Sequence, residues 1–351
     1  MTSEERHYNR YLRRKQKKEM NREVVNYNDC FTFSNLWKSA NRCFRGVRWK
    51  SSVKNYERRM FSNVAHAHYI MENYKYKPRK NKQFIIHERG KERVIDSTPI
   101  ETRVIEKCFC DCGIVPLVSK SLIYDNSATL KGKGTWFCLE RIKKYYAKFM
   151  KEYPNGYILI LDFHSYFASI DHEILYYFIR HYVDDYCFDF YKRNVDTMEG
   201  LNLGSQLSQI SAVYYAYLFD ELCQSLSYFY ARYMDDSIMF FKTKEDMNKA
   251  IKLIMEAADT LKLVINRNKV KRSKAMDGFT FLKKRFAHKN GKVIMYPYKK
   301  NDRIIKRKIN RFRKAHVADY KSYMNGCLVP YRKTKAHNRY LSLLCYFELL
   351  S

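Results

Sequence analysis

Two adjacent carboxylates, Asp235 and Asp236, stand between the apolar segments Tyr228-Phe229-Tyr230 and Ser237-Ile238-Met239-Phe240-Phe241. Paired negative charges at the turn of an apolar hairpin are costly to hold unless a cation neutralises them. A third carboxylate, Asp162, ends the apolar run Tyr157-Ile158-Leu159-Ile160-Leu161. That is the profile of a buried strand delivering a charge at its end. It lies far enough upstream for the fold to bring it beside the pair. Three convergent carboxylates with few softer ligands nearby suit Mg2+ or Mn2+ rather than zinc. Two such ions activate a hydroxyl and stabilise a leaving pyrophosphate in in-line phosphoryl transfer. An Asp-Asp pair by itself is more often an acidic surface turn, and Asp184-Asp185 is read that way.

The elements that must position these groups follow from periodicity and punctuation. Residues 1–26 form a basic arm or helix, and 34–76 form helices rich in Trp, Tyr and Arg. Phe84-Ile85-Ile86-His87 and Arg93-Val94-Ile95 flank Glu88-Arg89-Gly90-Lys91 as a hairpin with a basic tip. Pro99 opens a helix carrying Ile100, Val104 and Ile105, and another runs from Trp136 to Glu152. Ile210–Ser227 is expected as one apolar helix, Tyr228–Phe241 as a hairpin and 245–262 as an amphipathic helix. Phe279, Phe281 and Phe286 sit in a strand unit that pairs with Val293-Ile294-Met295-Tyr296. From Lys299 to Lys314 nine of sixteen residues are Lys or Arg, with Ile305, Ile309 and Phe312 at helical spacing. That combination is a helix with one core face and one basic face.

Composition narrows the function classes. The 351 residues carry 67 Lys+Arg against 36 Asp+Glu, a net charge of +31. So large an excess calls for a polyanionic partner, nucleic acid before an anionic membrane, and argues against an ordinary metabolic enzyme. The 16% aromatic content excludes a disordered chain. No run of about 18 apolar residues is present, so no membrane span is expected, and no signal peptide opens the chain. The ten cysteines are expected as reduced thiols, since only Cys108-x-Cys110-x-Cys112 cluster and their spacing does not suit zinc. His66-x-His68 has no third ligand and stays unassigned.

Arg232-Tyr233-Met234-Asp235-Asp236 resembles the YxDD hairpin of reverse transcriptases. Leu161-Asp162-Phe163-His164-Ser165-Tyr166-Phe167 resembles their first catalytic block. Gly200-Leu201-Asn202-Leu203-Gly204-Ser205-Gln206-Leu207-Ser208-Gln209 resembles the block between. The Ser208-Gln209 ending, in place of Ser-Pro, is similar to bacterial phage-defence and diversity-generating enzymes. More weakly, the resemblance extends from about residue 84 to residue 340.

It implies an α+β, right-hand polymerase fold. The N-terminal arm and fingers would span 1–155, and the palm 156–288 with a fingers insertion at about 172–199. A helical thumb would span 289–351. It further implies that Asp162, Asp235 and Asp236, with the Phe163 carbonyl, bind two Mg2+ ions, Mn2+ being admissible. Phe167 would gate against a ribose 2′-hydroxyl, so that dNTPs are the substrates. Gly204, Ser205, Ser208 and Gln209 would lie under the incoming nucleotide, beside Tyr233 and Met234. Arg93 and Lys91 would grip the triphosphate, and Lys269, with Lys271 as the other candidate, would protonate pyrophosphate.

Lys133 and Thr135, in the Lys133-Gly134-Thr135 motif, would contact nucleic acid. So would Phe281 and Leu282 of a primer-grip hairpin and Lys306, Arg307, Arg311 and Arg313 of the thumb. Relatives place Gly where Lys283 stands and often Arg where Leu130 stands. The implied partners are an RNA template, expected to be a dedicated noncoding RNA, and its DNA product. A homo-oligomer or accessory protein stays open. Without ribonuclease H, integrase, protease or HNH-type extensions, the expectation is a compact bacterial, cytoplasmic enzyme that works on its own noncoding RNA, and the resemblance of Leu203-Gly204-Ser205-Gln206-Leu207-Ser208-Gln209 to defence-type members turns it toward phage defence. Diversity generation is the alternative, and an RNA-binding scaffold with a polymerase fold the rival from another class.

Overall fold

A computed structural model of the chain describes residues 24–88 and 91–297, together with residues 9, 13, 303, 304, 307 and 311. Helices α1 (Tyr27–Cys30), α2 (Phe33–Cys43), α3 (Ser51–Arg58) and α4 (Met60–Glu72) come first. Asn26 and Thr32 cap the first two, each accepting a backbone N–H with its side chain. Strands β1 (Lys82–Glu88) and β2 (Lys91–Ser97) pair only with each other, antiparallel, Ile85 opposite Val94. The expected hairpin is therefore present, and Phe84, Ile85 and Val94 are exposed on it.

Helix α5 (Ile100–Phe109) runs through a π-turn at Cys110–Ile114 into α6 (Val115–Ser121). Pro116, in the first turn of α6, has no N–H to give the preceding turn, which accounts for the shifted register. After a loop comes α7 (Thr135–Glu152), then β3 (Tyr157–Asp162), α8 (His172–Arg180) and α9 (Asp185–Val195). Asp184 caps α9 by accepting the Cys187 N–H at 2.7 Å, so the second Asp-Asp pair, expected as an acidic surface turn, instead opens a helix.

Helices α10 (Gln206–Tyr215) and α11 (Tyr217–Leu226) replace the single helix expected over 210–227. The break at Ala216 has a local cause. The Ala212 carbonyl accepts the Tyr166 hydroxyl at 2.5 Å and the Val213 carbonyl accepts the Arg232 guanidinium at 2.7 Å. Those two acceptors are diverted from the next helical turn. Strands β4 (Phe229–Tyr233) and β5 (Asp236–Phe241) follow, then α12 (Lys244–Thr260), a 3-10 turn at Arg267–Lys269 and β6 (Lys271–Lys274). Strands β7 (Phe279–Phe281), β8 (Lys284–Lys289) and β9 (Lys292–Pro297) form a separate antiparallel sheet.

The central sheet has order β4-β5-β3-β6, antiparallel throughout. It is apolar on both faces, which is why β3 reads as a continuous apolar run rather than an alternation. Ile158, Ile160, Phe229, Ile238 and Phe240 face α7 through Cys138, Ile142, Tyr146 and Phe149. Leu159, Leu161, Tyr230, Met239 and Phe241 join the larger core of α5, α10, α11 and α12. Strands β4, β5 and β3 are clamped between the two cores, and polar groups are presented at the sheet's ends and along the exposed β6 edge.

The turn joining β7 to β8 holds Leu282 and Lys283 at φ 42° and 66°. This is left-handed backbone, the region a glycine adopts without strain. The glycine that relatives carry at Lys283 thus has a conformational reason, and the chain makes the same turn without it. Expected helices and strands falling on 1–23 and beyond residue 297 lie outside the described residues, apart from Asn9, Arg13, Arg303, Ile304, Arg307 and Arg311, all helical; Arg307 and Arg311 are exposed.

Candidate active site

The turn between β4 and β5 contains only Met234 and Asp235, with Tyr233 opposite Asp236. Met234 takes φ 55°, as a two-residue hairpin turn requires of one central residue. Asp162, at the end of β3, lies directly opposite Asp236 on β5, and the Phe163 N–H donates to the Asp235 carbonyl at 3.3 Å. The three carboxylates named from the sequence therefore meet at one end of the sheet. Asp162 is buried, and Asp235 and Asp236 are half-buried. Burial, and then the neighbouring Asp235 and Asp162, push the Asp236 carboxyl up to about 7. This is the electrostatics of a donor set that fits a divalent cation.

The cationic side of the site comes from the turn after α12. Lys269 donates to both Asp162 oxygens at 2.7 and 2.8 Å, and that bond raises the lysine's own pKa. The Asn266 N–H donates to the Asp162 carbonyl at 2.8 Å. As the side chains stand, no three His, Cys, Asp or Glu among the described residues are grouped to ligate a metal. Lys269, rather than Lys271, is the lysine that reaches the carboxylates.

Beneath the turn lies a network that local sequence does not announce. Arg232 and Asp220 are both 0% exposed and form a two-pronged pair at 2.6 and 2.7 Å. Asp220 also accepts the Tyr230 hydroxyl at 2.7 Å and the Asn126 amide at 3.2 Å. The remaining guanidinium protons go to the Met234 carbonyl at 2.9 Å and the Val213 carbonyl at 2.7 Å. One arginine thus holds the carboxylate-bearing turn to the end of α10. In so basic a chain an arginine before Tyr-Met-Asp-Asp reads as a solvated charge, and only the distant Asp220 makes it otherwise.

The intervening block is fastened to both sides. The Leu201 N–H donates to the Phe167 carbonyl at 2.7 Å, so the proposed gate residue and the block share a backbone bond. Phe167 is half-buried and meets Tyr166 edge-on. Gly204 lies against the C-terminal end of β2, where a Cβ would stand 1.9 Å from the Asp96 carbonyl oxygen. Ser205 caps α10, accepting the N–H groups of Leu207 and Ser208, and donates to Glu106 at 2.9 Å. Ser205 and Ser208 are buried, whereas Gln209 is half-buried.

Burial pushes the Glu106 carboxyl up to about 7. The native state therefore holds this proton more tightly than the unfolded chain does, and stability falls as pH rises from about 4.5 to about 7. Glu106→Gln is expected to remove that slope and to stabilise the protein at pH 8 by roughly 1–3 kcal/mol. Denaturant midpoints of both proteins across this range would check it, and parallel profiles would refute it.

The other expected contacts are more dispersed. Arg93 and Lys91 lie on β2, at the outer part of the exposed hairpin. Lys133 donates to the Tyr124 and Asn126 carbonyls at 2.7 and 3.0 Å, and Thr135 opens α7. Phe281 is 3% exposed and packs inward with Phe279 and Phe286, while Leu282 occupies the turn. Lys306 and Arg313 lie outside the described residues. His68 Nδ1 contacts the Phe31 carbonyl at 3.0 Å, a structural role, and the eight cysteines among the described residues are free thiols.

The arrangement fits a right-hand polymerase fold: an antiparallel sheet with carboxylates at one end, and an exposed hairpin whose C-terminal end reaches the block carrying Gly204. Residues 77–285 match the family model described as reverse transcriptase (RNA-dependent DNA polymerase), and the chain belongs to that family. No curated protein matches the sequence significantly. Among solved structures it is similar to apo telomerase from Candida tropicalis truncated from its C-terminal domain. There the identity is 13%, covering 68% of this chain and 60% of that one, with TM-score 0.45. It is also similar to telomerase from Candida albicans in complex with a fragment of telomeric RNA. In that case the identity is 10%, covering 68% and 50%, with TM-score 0.48. The chain thus spans less than two thirds of either telomerase chain.

Proposed function

We propose that this chain is an RNA-directed DNA polymerase that copies an associated noncoding RNA in bacterial phage defence. The observation that carries the catalytic reading is the meeting of Asp162, Asp235 and Asp236 at one end of the palm sheet. Support for the biological role is the Leu203-Gly204-Ser205-Gln206-Leu207-Ser208-Gln209 wording, and for the polyanionic partner the charge of +31. The division into fingers (1–155), palm (156–288) and thumb (289–351) belongs to this reading, as does a cytoplasmic setting.

Asp162, Asp235 and Asp236, with the Phe163 carbonyl, would hold two divalent ions. Bound there, such ions supply activation of the primer hydroxyl and charge stabilisation of the leaving pyrophosphate. The protein's own residues do the rest. Phe167 excludes a 2′-hydroxyl, Lys269 stands ready to give a proton to pyrophosphate, and Arg232 fixes the turn that bears Asp235. Arg93 and Lys91 meet the triphosphate from the fingers, and Arg307 and Arg311 track the duplex backbone from the thumb.

The test is sequencing of nucleic acid that copurifies with the protein, before and after incubation with dNTPs and Mg2+. Asp235→Asn/Asp236→Asn serves as control. One dominant structured RNA is expected, with complementary DNA appearing only with the wild type and reduced at least 1,000-fold in the variant. A bound RNA with no dNTP-dependent product would sink the polymerase reading and favour a scaffold.

A further inference from the structure

Phe167 belongs to no helix or strand. It lies in the turn between β3 and α8, where Ser165 takes φ 48° and its carbonyl accepts the Ala168 and Ser169 N–H groups at 2.9 and 3.1 Å. Those bonds set the shape of the turn, whereas its position against the rest of the palm has to come from other segments. The Leu201 N–H supplies one such bond, to the Phe167 carbonyl at 2.7 Å. Gly200 is buried at φ 64° and lies still closer. A Cβ on it would stand 2.5 Å from the Phe167 carbonyl oxygen and 2.7 Å from the Ala168 Cα. Residues 200 and 201 are thus laid directly on the backbone that carries the ring.

One imidazole ties that segment to the helices behind it. His172, the first residue of α8, places Nε2 2.7 Å from the Gly200 carbonyl and Nδ1 3.1 Å from Asp196 Oδ1. A carbonyl oxygen accepts and cannot donate, so Nε2 carries the proton in that bond. Asp196 closes α9, its own N–H donating to the Lys192 carbonyl at 2.8 Å. The Tyr176 hydroxyl, one turn along α8, donates to the same Asp196 oxygen. Asp171 fixes the start of α8 by accepting the Ile174 N–H at 3.0 Å. The imidazole is therefore oriented from two helices, with one nitrogen left for the carbonyl that adjoins Leu201.

A ring that excludes one hydroxyl works by occupying the volume of a single oxygen atom. A displacement of about 1 Å is enough to open that volume, so the ring is only as selective as the backbone beneath it is fixed. We propose that His172, oriented by Asp196 and Tyr176, is a positioning residue for sugar selection. By holding Gly200 and Leu201 against Phe167, it keeps the ring where a ribose 2′-hydroxyl would have to sit. The inference rests on the reading of the chain as a polymerase of dNTPs with Phe167 as its gate.

The test uses the full-length protein, an oligouridine RNA template annealed to a short DNA primer, and dATP against ATP. Rates and KM values are measured for wild type, His172→Ala, His172→Gln, Asp196→Ala and Phe167→Ala. His172→Ala is expected to raise the ratio of kcat/KM for ATP to that for dATP about tenfold, chiefly through a lower KM for ATP. His172→Gln keeps an amide that donates to the Gly200 carbonyl, and its ratio should stay within about threefold of wild type. Asp196 is exposed, so Asp196→Ala spares the core and should move the ratio the same way by about threefold. That variant decides the matter if His172→Ala does not fold.

Equal losses with ATP and dATP would make the network a structural fastening alone and overturn the proposal. An unchanged ratio in the alanine variants, or a glutamine variant as relaxed as His172→Ala, would overturn it too. If Phe167→Ala leaves the ratio at the wild-type value, the gate lies elsewhere and the inference falls while the polymerase reading stands. Wild-type protein that incorporates neither nucleotide removes the polymerase reading and the inference with it.

Discussion

Arg232→Met is expected to lower stability by about 3–5 kcal/mol, the cost of leaving a buried carboxylate without its partner. Asp220 would keep only the Tyr230 hydroxyl and the Asn126 amide, too little for a charge shut away from water. The Met234 and Val213 carbonyls would lose their donor as well. Replacing both members, Arg232→Met/Asp220→Leu, should recover part of the loss, because no charge is then stranded. Urea denaturation of the two single variants and the double variant measures this. A double variant as unstable as the sum of the singles would show that the pair does not act as a unit. Primer extension by the double variant should still be at least tenfold slower than wild type, since Met234 is no longer held.

Gly204→Ala is expected to cost at least about 100-fold in dNTP incorporation, with RNA retention intact. The added methyl would stand 1.9 Å from the Asp96 carbonyl oxygen and 3.1 Å from its carbon. Both are backbone atoms, so no flexible side chain can yield. Either β2 must retreat from the block or the start of α10 must shift, and a displacement of about 1 Å near reacting groups is enough for such a loss. Overpacking should also destabilise the protein by about 1–3 kcal/mol. Single-turnover incorporation and melting of the same preparation separate the two effects. Incorporation within threefold of wild type would mean that the contact between Gly204 and the end of β2 is not needed for catalysis.

The sequence revealed the parts of the site that depend on neighbours along the chain. Asp162 could be placed because an apolar run precedes it, and Asp235 and Asp236 because apolar arms surround them. What it withheld depends on distant partners. Arg232 looks like any other charge until Asp220, from α11, closes on it. Glu106 looks like a solvated helix residue until Ser205 reaches it from the α10 cap. The break at Ala216 has no proline or glycine to signal it, since its cause is two carbonyls taken by side chains from elsewhere. Lys283 is a different case: the absent glycine was visible as a departure, but its cost, a lysine in left-handed backbone, appears only with the turn.

The two edges of the palm sheet bear on how copies of this chain meet one another. An unpaired strand edge is a template on which another chain can add a strand. At β4 the loop residues Asp125 and Ser127 already occupy it, through the Arg232 N–H and carbonyl. At the opposite edge β6 is four residues long and reads Lys271-Arg272-Ser273-Lys274. A second β6 brought alongside would set three positive charges against three others. Growth of the sheet from molecule to molecule is therefore blocked by occupancy on one side and by repulsion on the other. A chain so rich in apolar strands thereby keeps its central sheet from becoming the seed of an aggregate.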